Sequence, residues 1–167
     1  LMTEVWDAYD ENRKLIPDKF IIRENFSTMD AFHLVVDVLI IHQDNSLLFM
    51  HRSADKESNP NLYEASAGGS VLKGENSQEA AIREVKEETG LDLYRLDLLY
   101  QYSNPEHHGH YDRYLARTDC PKHSIVYQEG ETDGHIWVKP EELESFFATH
   151  KVLPGHETEL RLLFGLD

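Results

Sequence analysis

Residues 69–91 read GSVLKGENSQEAAIREVKEETGL. Within this stretch Glu84, Glu87 and Glu88 stand at i, i+3 and i+4 beside Arg83, so their carboxylates leave one face of a short helix. A helix gains nothing from that arrangement. Like charges at i,i+4 cost a few tenths of a kcal/mol. Glu87 and Glu88 also fall in the last turn before Gly90, where the negative end of the macrodipole disfavours anions. Two local rules broken within one turn mark a functional site more readily than a solvated acidic face.

The helix is otherwise well specified. Asn76 or Ser77 can cap it, and Glu79 stands three residues after Asn76, near a capping-box spacing. Ala80, Ala81, Ile82 and Val85 supply helix formers and an apolar stripe, and Gly90 suits a left-handed C-terminal stop. A hard divalent cation would relieve the repulsion among the glutamates. Mg²⁺ in particular takes one or two carboxylates together with water and phosphate oxygens. Upstream, Gly68, Gly69 and Gly74 allow a tight loop that approaches a ligand through backbone alone. No Gly-Lys-Ser/Thr follows, so this is not a P-loop.

The segment resembles the Nudix box, Gly-x5-Glu-x7-Arg-Glu-U-x-Glu-Glu-x-Gly-U with U aliphatic. Gly69, Glu75, Arg83, Glu84, Val85, Glu87, Glu88, Gly90 and Leu91 match it without departure. Such a match arises by chance about once in 10⁹ start positions at average residue usage. The resemblance implies an α/β fold, a Nudix-type α/β/α sandwich with a mixed sheet. It also implies a hydrolase that cleaves a nucleoside diphosphate linked to another group, X, with Mg²⁺ or Mn²⁺ as cofactor. By matching position, Glu84, Glu87 and Glu88 would hold the metal and Gly69 would offer its backbone carbonyl. Arg83 would orient the glutamates through an ion pair, with Glu87 in reach at i+4. Glu75 would brace the loop against the helix or join the metal shell, and Gly90 would end the helix. The general base is either Glu88 or Glu131, the latter in an acidic loop before the strand carrying Trp137.

Three further segments are similar to the isopentenyl-diphosphate isomerase-like branch of the family: residues 4–12, 51–56 and 62–69. That likeness makes Arg52 and Lys56 candidates for gripping the diphosphate, Arg bidentately and Lys as a point charge. True isomerases carry a catalytic Cys and a metal-binding His where this chain has Gly68 and Ser70. Without thiol and imidazole, proton transfer at an alkene carbon lacks its agents, so hydrolysis is expected and isomerisation is the alternative. A non-catalytic nucleotide-sensing module is the other alternative. Such modules commonly lose box carboxylates, and none is lost here.

The rest of the chain accommodates one domain over residues 1–167, with 1–30 as an N-terminal β extension. It has 167 residues, 40% hydrophobic, and no apolar run near the ~18 residues of a membrane helix. The single cysteine, Cys120, excludes an internal disulfide, and the Leu-Met-Thr start has no basic leader, so a cytoplasmic setting is expected. A net charge of −15 disfavours nucleic acid as a partner and repels phosphorylated substrates at long range, so metal and placed cations must overcome that field. Many Nudix proteins dimerise, and the resemblance allows a homodimer here without marking an interface.

Pattern reading places extended pieces at 4–9 and 14–26, and strands at 32–41 and 47–52 joined as a hairpin. It adds strands at 63–67, 91–102, 111–117 and 135–138, then helices at 140–150 and 156–164, the last with Leu160, Leu163 and Phe164 on one face. His107, His108 and His110 could suit a transition metal, but no cysteine or spaced carboxylate completes a set. A His-rich loop that could touch substrate is the better reading. Trp6, Tyr63, Tyr102, Tyr111 and Tyr114 are potential stacking surfaces that more often serve as core, and Trp137 reads as core.

Overall fold

The computed structural model describes residues 3–167, apart from the Thr28 side chain; the Leu-Met start lies outside the described residues. The chain begins with a hairpin of β1 (Val5–Tyr9) and β2 (Leu15–Ile22). Asp10 closes its turn by accepting from the amides of Asn12 at 2.8 Å and Lys14 at 2.9 Å. Extended backbone does not continue to residue 26 as expected. Residues 23–28 form a 3₁₀ turn, which tucks Phe26 against Trp6 and His33 at ring separations of 5.4 and 4.3 Å. Aromatic packing there outweighs the strand propensity of the sequence.

The centre of the fold is β3 (His33–His42). It runs parallel to β8 (Gly109–Thr118) along its whole length and antiparallel to β6 (Ala67–Ser70). Next along, β7 (Leu96–Asn104) pairs antiparallel with β8. On the other side lie β4 (Leu47–Arg52), β5 (Tyr63–Glu64) and β9 (Thr132–Val138). The expected β3–β4 hairpin is barely made: only Ile41 and Leu47 pair. Beyond that point β3 takes β6 as its neighbour, while β4 takes β9 and β5. The sheet therefore parts between β6 and β4, and the parting opens a cleft.

Alternation along β3 assigns the two faces. Val36, Val38 and Ile40 pack with Ala80, Ala81 and Val85 of α1 (Ser77–Thr89). Leu39 packs with Leu143, Phe146 and Phe147 of α2 (Leu143–Thr149) and Leu160 of α3 (Pro154–Leu163). The result is the α/β/α sandwich with a mixed sheet. A third apolar cluster, Trp6, Ala8, Ile21 and Ala31 with Leu72, ties the N-terminal hairpin to the loop before α1.

Element limits differ from the pattern in places. β7 starts at Leu96 rather than residue 91, and β9 starts at Thr132 rather than residue 135. A 3₁₀ turn over Pro140–Glu142 precedes α2. α3 begins at Pro154, whose fixed φ suits a first helical turn; on it Leu160 is fully buried and Leu163 is 49% exposed. Among the described residues no helix is long and apolar enough to cross a membrane.

Candidate active site

The capping box forms as the spacing suggests. Asn76 Oδ1 accepts from the Glu79 amide at 2.8 Å, and Glu79 accepts from the Asn76 amide at 3.0 Å. Gly90, at φ 77°, ends α1 in the left-handed conformation. The helix thus fixes Glu84 and Glu88 inward and leaves Glu87 at the rim.

Arg83 organises the acids. Its guanidinium donates to both oxygens of Glu75, at 2.7 and 2.9 Å, to Glu84 at 2.9 Å and to Glu87 at 3.2 Å. It also donates to the Ser70 carbonyl at 3.2 Å. Glu75 in turn accepts from the Leu72 amide at 2.9 Å, so it braces the loop. Burial works against ionisation of Glu75, but Arg83 and that amide outweigh it and hold the carboxyl below its usual range.

Gly69 permits the next contact. A Cβ there would lie 2.6 Å from Glu84 Cδ, so only glycine lets the Glu84 carboxylate rest against the backbone. The Gly68 amide donates to Glu88 at 3.3 Å. Glu84 and Glu88 lie close enough to influence each other's ionisation, so they titrate as a pair. Burial pushes Glu84 up to about 7 despite Arg83. Burial, then the Glu64 and Glu84 carboxylates, push Glu88 well above the carboxylate range.

These residues line a cavity of about 300 Å³ in the parting of the sheet. It gathers Arg52, Lys56, Gly69, Glu84, Glu87, Glu88 and Glu131, seven residues singled out in the sequence. Arg83, Glu75 and Gly90 stand behind it. Both candidate phosphate grips are engaged with acids. Arg52 pairs with Glu64 at 3.0 Å and donates to the Asn59 and Ser58 carbonyls, while Lys56 pairs with Glu131. Glu131 arrives just ahead of β9, its carbonyl held by the Ser53 amide at 2.9 Å.

Glu64 was not singled out. Burial raises it to about 7 against the pull of Arg52. Its signal was a lone acid in the otherwise apolar and small stretch 62–69. His33 also lines the cavity, its Nδ1 3.2 Å from Ser70 Oγ. The position that lacks an isomerase histidine therefore has an imidazole beside it, delivered by β3. Burial holds that imidazole neutral, with its pKa lowered to about 4. Glu4, Trp6 and Arg23 of the N-terminal region complete one wall.

His107, His108 and His110 line neither this cavity nor a metal site. His110 is buried against Phe32 at 4.5 Å and engages the Asp10 carbonyl at 2.7 Å and Ser103 at 2.6 Å, which spends both ring nitrogens. Tyr114 bonds Ser77 within the core, Tyr63 packs on Phe146, and Trp137 packs at the edge of the α1-side core.

The donor set is oxygen throughout, carboxylates plus the Gly69 carbonyl, which suits a hard divalent cation. Among the described residues no three acidic, His or Cys side chains already converge into a ligand set. Glu84 turns instead to Arg83, 2.9 Å away, and burial favours a proton on the pair Glu84 and Glu88. A cation would displace that proton and draw the carboxylates together, so the residues fit the group.

The NUDIX domain profile matches residues 31–161. A Nudix hydrolase of Listeria monocytogenes is 34% identical over 151 residues, covering 90% of this chain and 89% of its own length; one of Listeria innocua matches equally. Among solved structures, a Deinococcus radiodurans protein superposes with TM-score 0.74 at 24% identity, over 95% of this chain and 98% of that one. The dihydroneopterin triphosphate pyrophosphohydrolase of E. coli superposes with TM-score 0.57 at 19% identity, over 80% and 97%; both likenesses concern the fold. The chain belongs to the Nudix family and is an enzyme of the pyrophosphohydrolase class.

Proposed function

We propose that this chain is a Mg²⁺-dependent hydrolase, with Mn²⁺ as a substitute, that cleaves the diphosphate linkage of a nucleoside diphosphate-X or a related small diphosphate. The observation that carries the reading is the packing of Glu64, Glu84 and Glu88 around Gly68 and Gly69, buried carboxylates that repel one another unless protons or a cation intervene. Glu84, Glu87, Glu88 and the Gly69 carbonyl would hold the cation. When bound it would polarise a phosphoryl oxygen and acidify a water.

The chain's own residues supply the rest. Arg83 keeps the three box glutamates in place through its fork of donors. Arg52 and Lys56 exchange their carboxylate partners for phosphate oxygens as the substrate enters. That exchange releases Glu131, which then accepts the proton of the attacking water. Glu88 is the less suitable base because metal duty occupies it. Glu4 and Trp6 line the cavity, so the N-terminal hairpin and residues 31–167 act as one catalytic unit in this reading. A reducing, cytoplasmic setting agrees with the lone Cys120.

The test is a panel of nucleotides, nucleotide sugars and non-nucleotide diphosphates with Mg²⁺ or Mn²⁺, run on wild type and Glu87→Gln. Wild type should release a mononucleotide or phosphate from at least one compound, and Glu87→Gln should lose most of that rate. Silence across the whole panel would sink the reading. His33 gives the isomerase alternative one observation of its own, and formation of dimethylallyl diphosphate from its isomer would establish it.

A further inference from the structure

On the sheet face opposite α1 lies a second cavity of about 470 Å³, roofed by the start of α3. Asp37, Arg113 and Tyr100 are register partners across β3, β8 and β7, so their side chains form one row on its floor. Tyr102 stands beside them, stacked on Tyr111 at 4.6 Å. The rings of Tyr100 and Tyr102 remain 38% and 46% exposed.

Arg113 is only 2% exposed. Its Nε and Nη2 bind Glu159 at 2.7 and 2.6 Å, and Nη2 also reaches the Ala65 carbonyl. Its Nη1 is buried with no acceptor. Asp37, its cross-strand neighbour, makes no hydrogen bond among the described residues. Natural interiors rarely leave a guanidinium donor and a carboxylate unmatched side by side, and a missing ligand or water is the usual reason. The cavity also adjoins the catalytic one. Gly68 lines the first, and a Cβ on it would press on Asp37 Oδ1 in the second.

We propose that this cavity takes the planar nitrogen heterocycle of the substrate's nucleoside, the nucleobase, with Asp37 accepting from its edge, Arg113 Nη1 donating to it, and Tyr100 and Tyr102 against its ring. A side-by-side acceptor and donor match the lactam or amidine edge of a base. Exposed tyrosine rings match its π face, and a lipid chain would leave both charges stranded. This assignment rests on the diphosphate-hydrolase reading of the neighbouring site and places base selection on the sheet floor.

The experiment is calorimetric titration of the full chain, with Mg²⁺ present, with nucleoside monophosphates of the four common bases and with ribose 5-phosphate. At least one nucleotide should bind tenfold or more tighter than ribose 5-phosphate. Asp37→Asn should change the preferred base or reduce that preference about tenfold. Tyr102→Leu, at a half-exposed position, should weaken the same nucleotide and leave ribose 5-phosphate unchanged. Equal binding of nucleotides and ribose 5-phosphate, no binding of any nucleotide, or an unaltered base ranking in folded Asp37→Asn overturns the proposal. Base discrimination without hydrolysis of any diphosphate would overturn the catalytic reading instead, and hydrolysis without base discrimination would overturn this one alone.

Discussion

Replacing Glu84 with glutamine should stabilise the metal-free protein, and the gain should appear as pH rises. Burial raises the folded-state pKa of Glu84 from 4.5 to about 7. The folded protein therefore holds this proton more tightly than the unfolded chain does. That preference stabilises wild type below about pH 4.5 and is lost progressively up to about pH 7, beyond which the penalty is constant. At about 1.4 kcal/mol per pH unit, the gap is worth about 3 kcal/mol. Glutamine keeps the shape of the protonated acid and does not titrate. The stability difference between variant and wild type should thus grow by about 3 kcal/mol between pH 4.5 and 7 and then level off, about 6–12 °C in Tm for a chain of this size. Because Glu84 and Glu88 titrate together, the change belongs to the pair. His33 and His156, whose burial depresses their pKa values to about 4 and about 3, titrate in both proteins and cancel in the difference. The assay is chelator-treated protein unfolded by urea or by calorimetry from pH 4.5 to 8. A difference that does not change with pH, or one that shrinks as pH rises, would refute the burial argument.

Gly69→Ala should raise the Mg²⁺ concentration needed for half-maximal activity at least tenfold while costing only about 1 kcal/mol of stability, because the added Cβ displaces the free end of Glu84 rather than backbone; metal titration of activity beside a urea melt separates the two. Arg83→Lys should cost about 2 kcal/mol in urea unfolding, since an ammonium cannot reproduce the two-pronged bond to Glu75 while also reaching Glu84, Glu87 and the Ser70 carbonyl.

The α1 segment was legible because its information is local. Asn76, Glu79 and Gly90 act within a few residues of themselves, and the i, i+4 spacing dictates which glutamates face together. The partners of β3 were not legible. Gln43-Asp44-Asn45-Ser46 reads as a hairpin turn and does reverse the chain, yet the strands it joins separate after one pair. What separates them is β6 and β9, which arrive from elsewhere in the sequence and satisfy the edges first. Glu64 was missed for the same reason, since its meaning depends on Glu88 and Arg52 reaching it from α1 and β4. The His107–His110 loop misled in the opposite direction. It looked chemical in sequence, but packing committed His110 to Phe32 and the Asp10 carbonyl.

The charge of the cavity constrains the order in which things bind. Its lining holds six glutamates, Glu4, Glu64, Glu84, Glu87, Glu88 and Glu131, against Arg23, Arg52 and Lys56. Each of those cations is already paired with one of the glutamates. A diphosphate approaching the metal-free protein thus meets no uncommitted positive charge from these side chains, inside a chain that carries −15 overall. Protons on the buried acids lessen the repulsion without creating attraction. A divalent cation held by Glu84 and Glu88 would do both, because it would take the place of protons there and add positive charge to meet phosphate oxygens. Metal and substrate affinities must then be linked, each rising with the concentration of the other. The same carboxylates that make α1 a poor isolated helix would then keep the cavity closed to phosphate until a cation arrived.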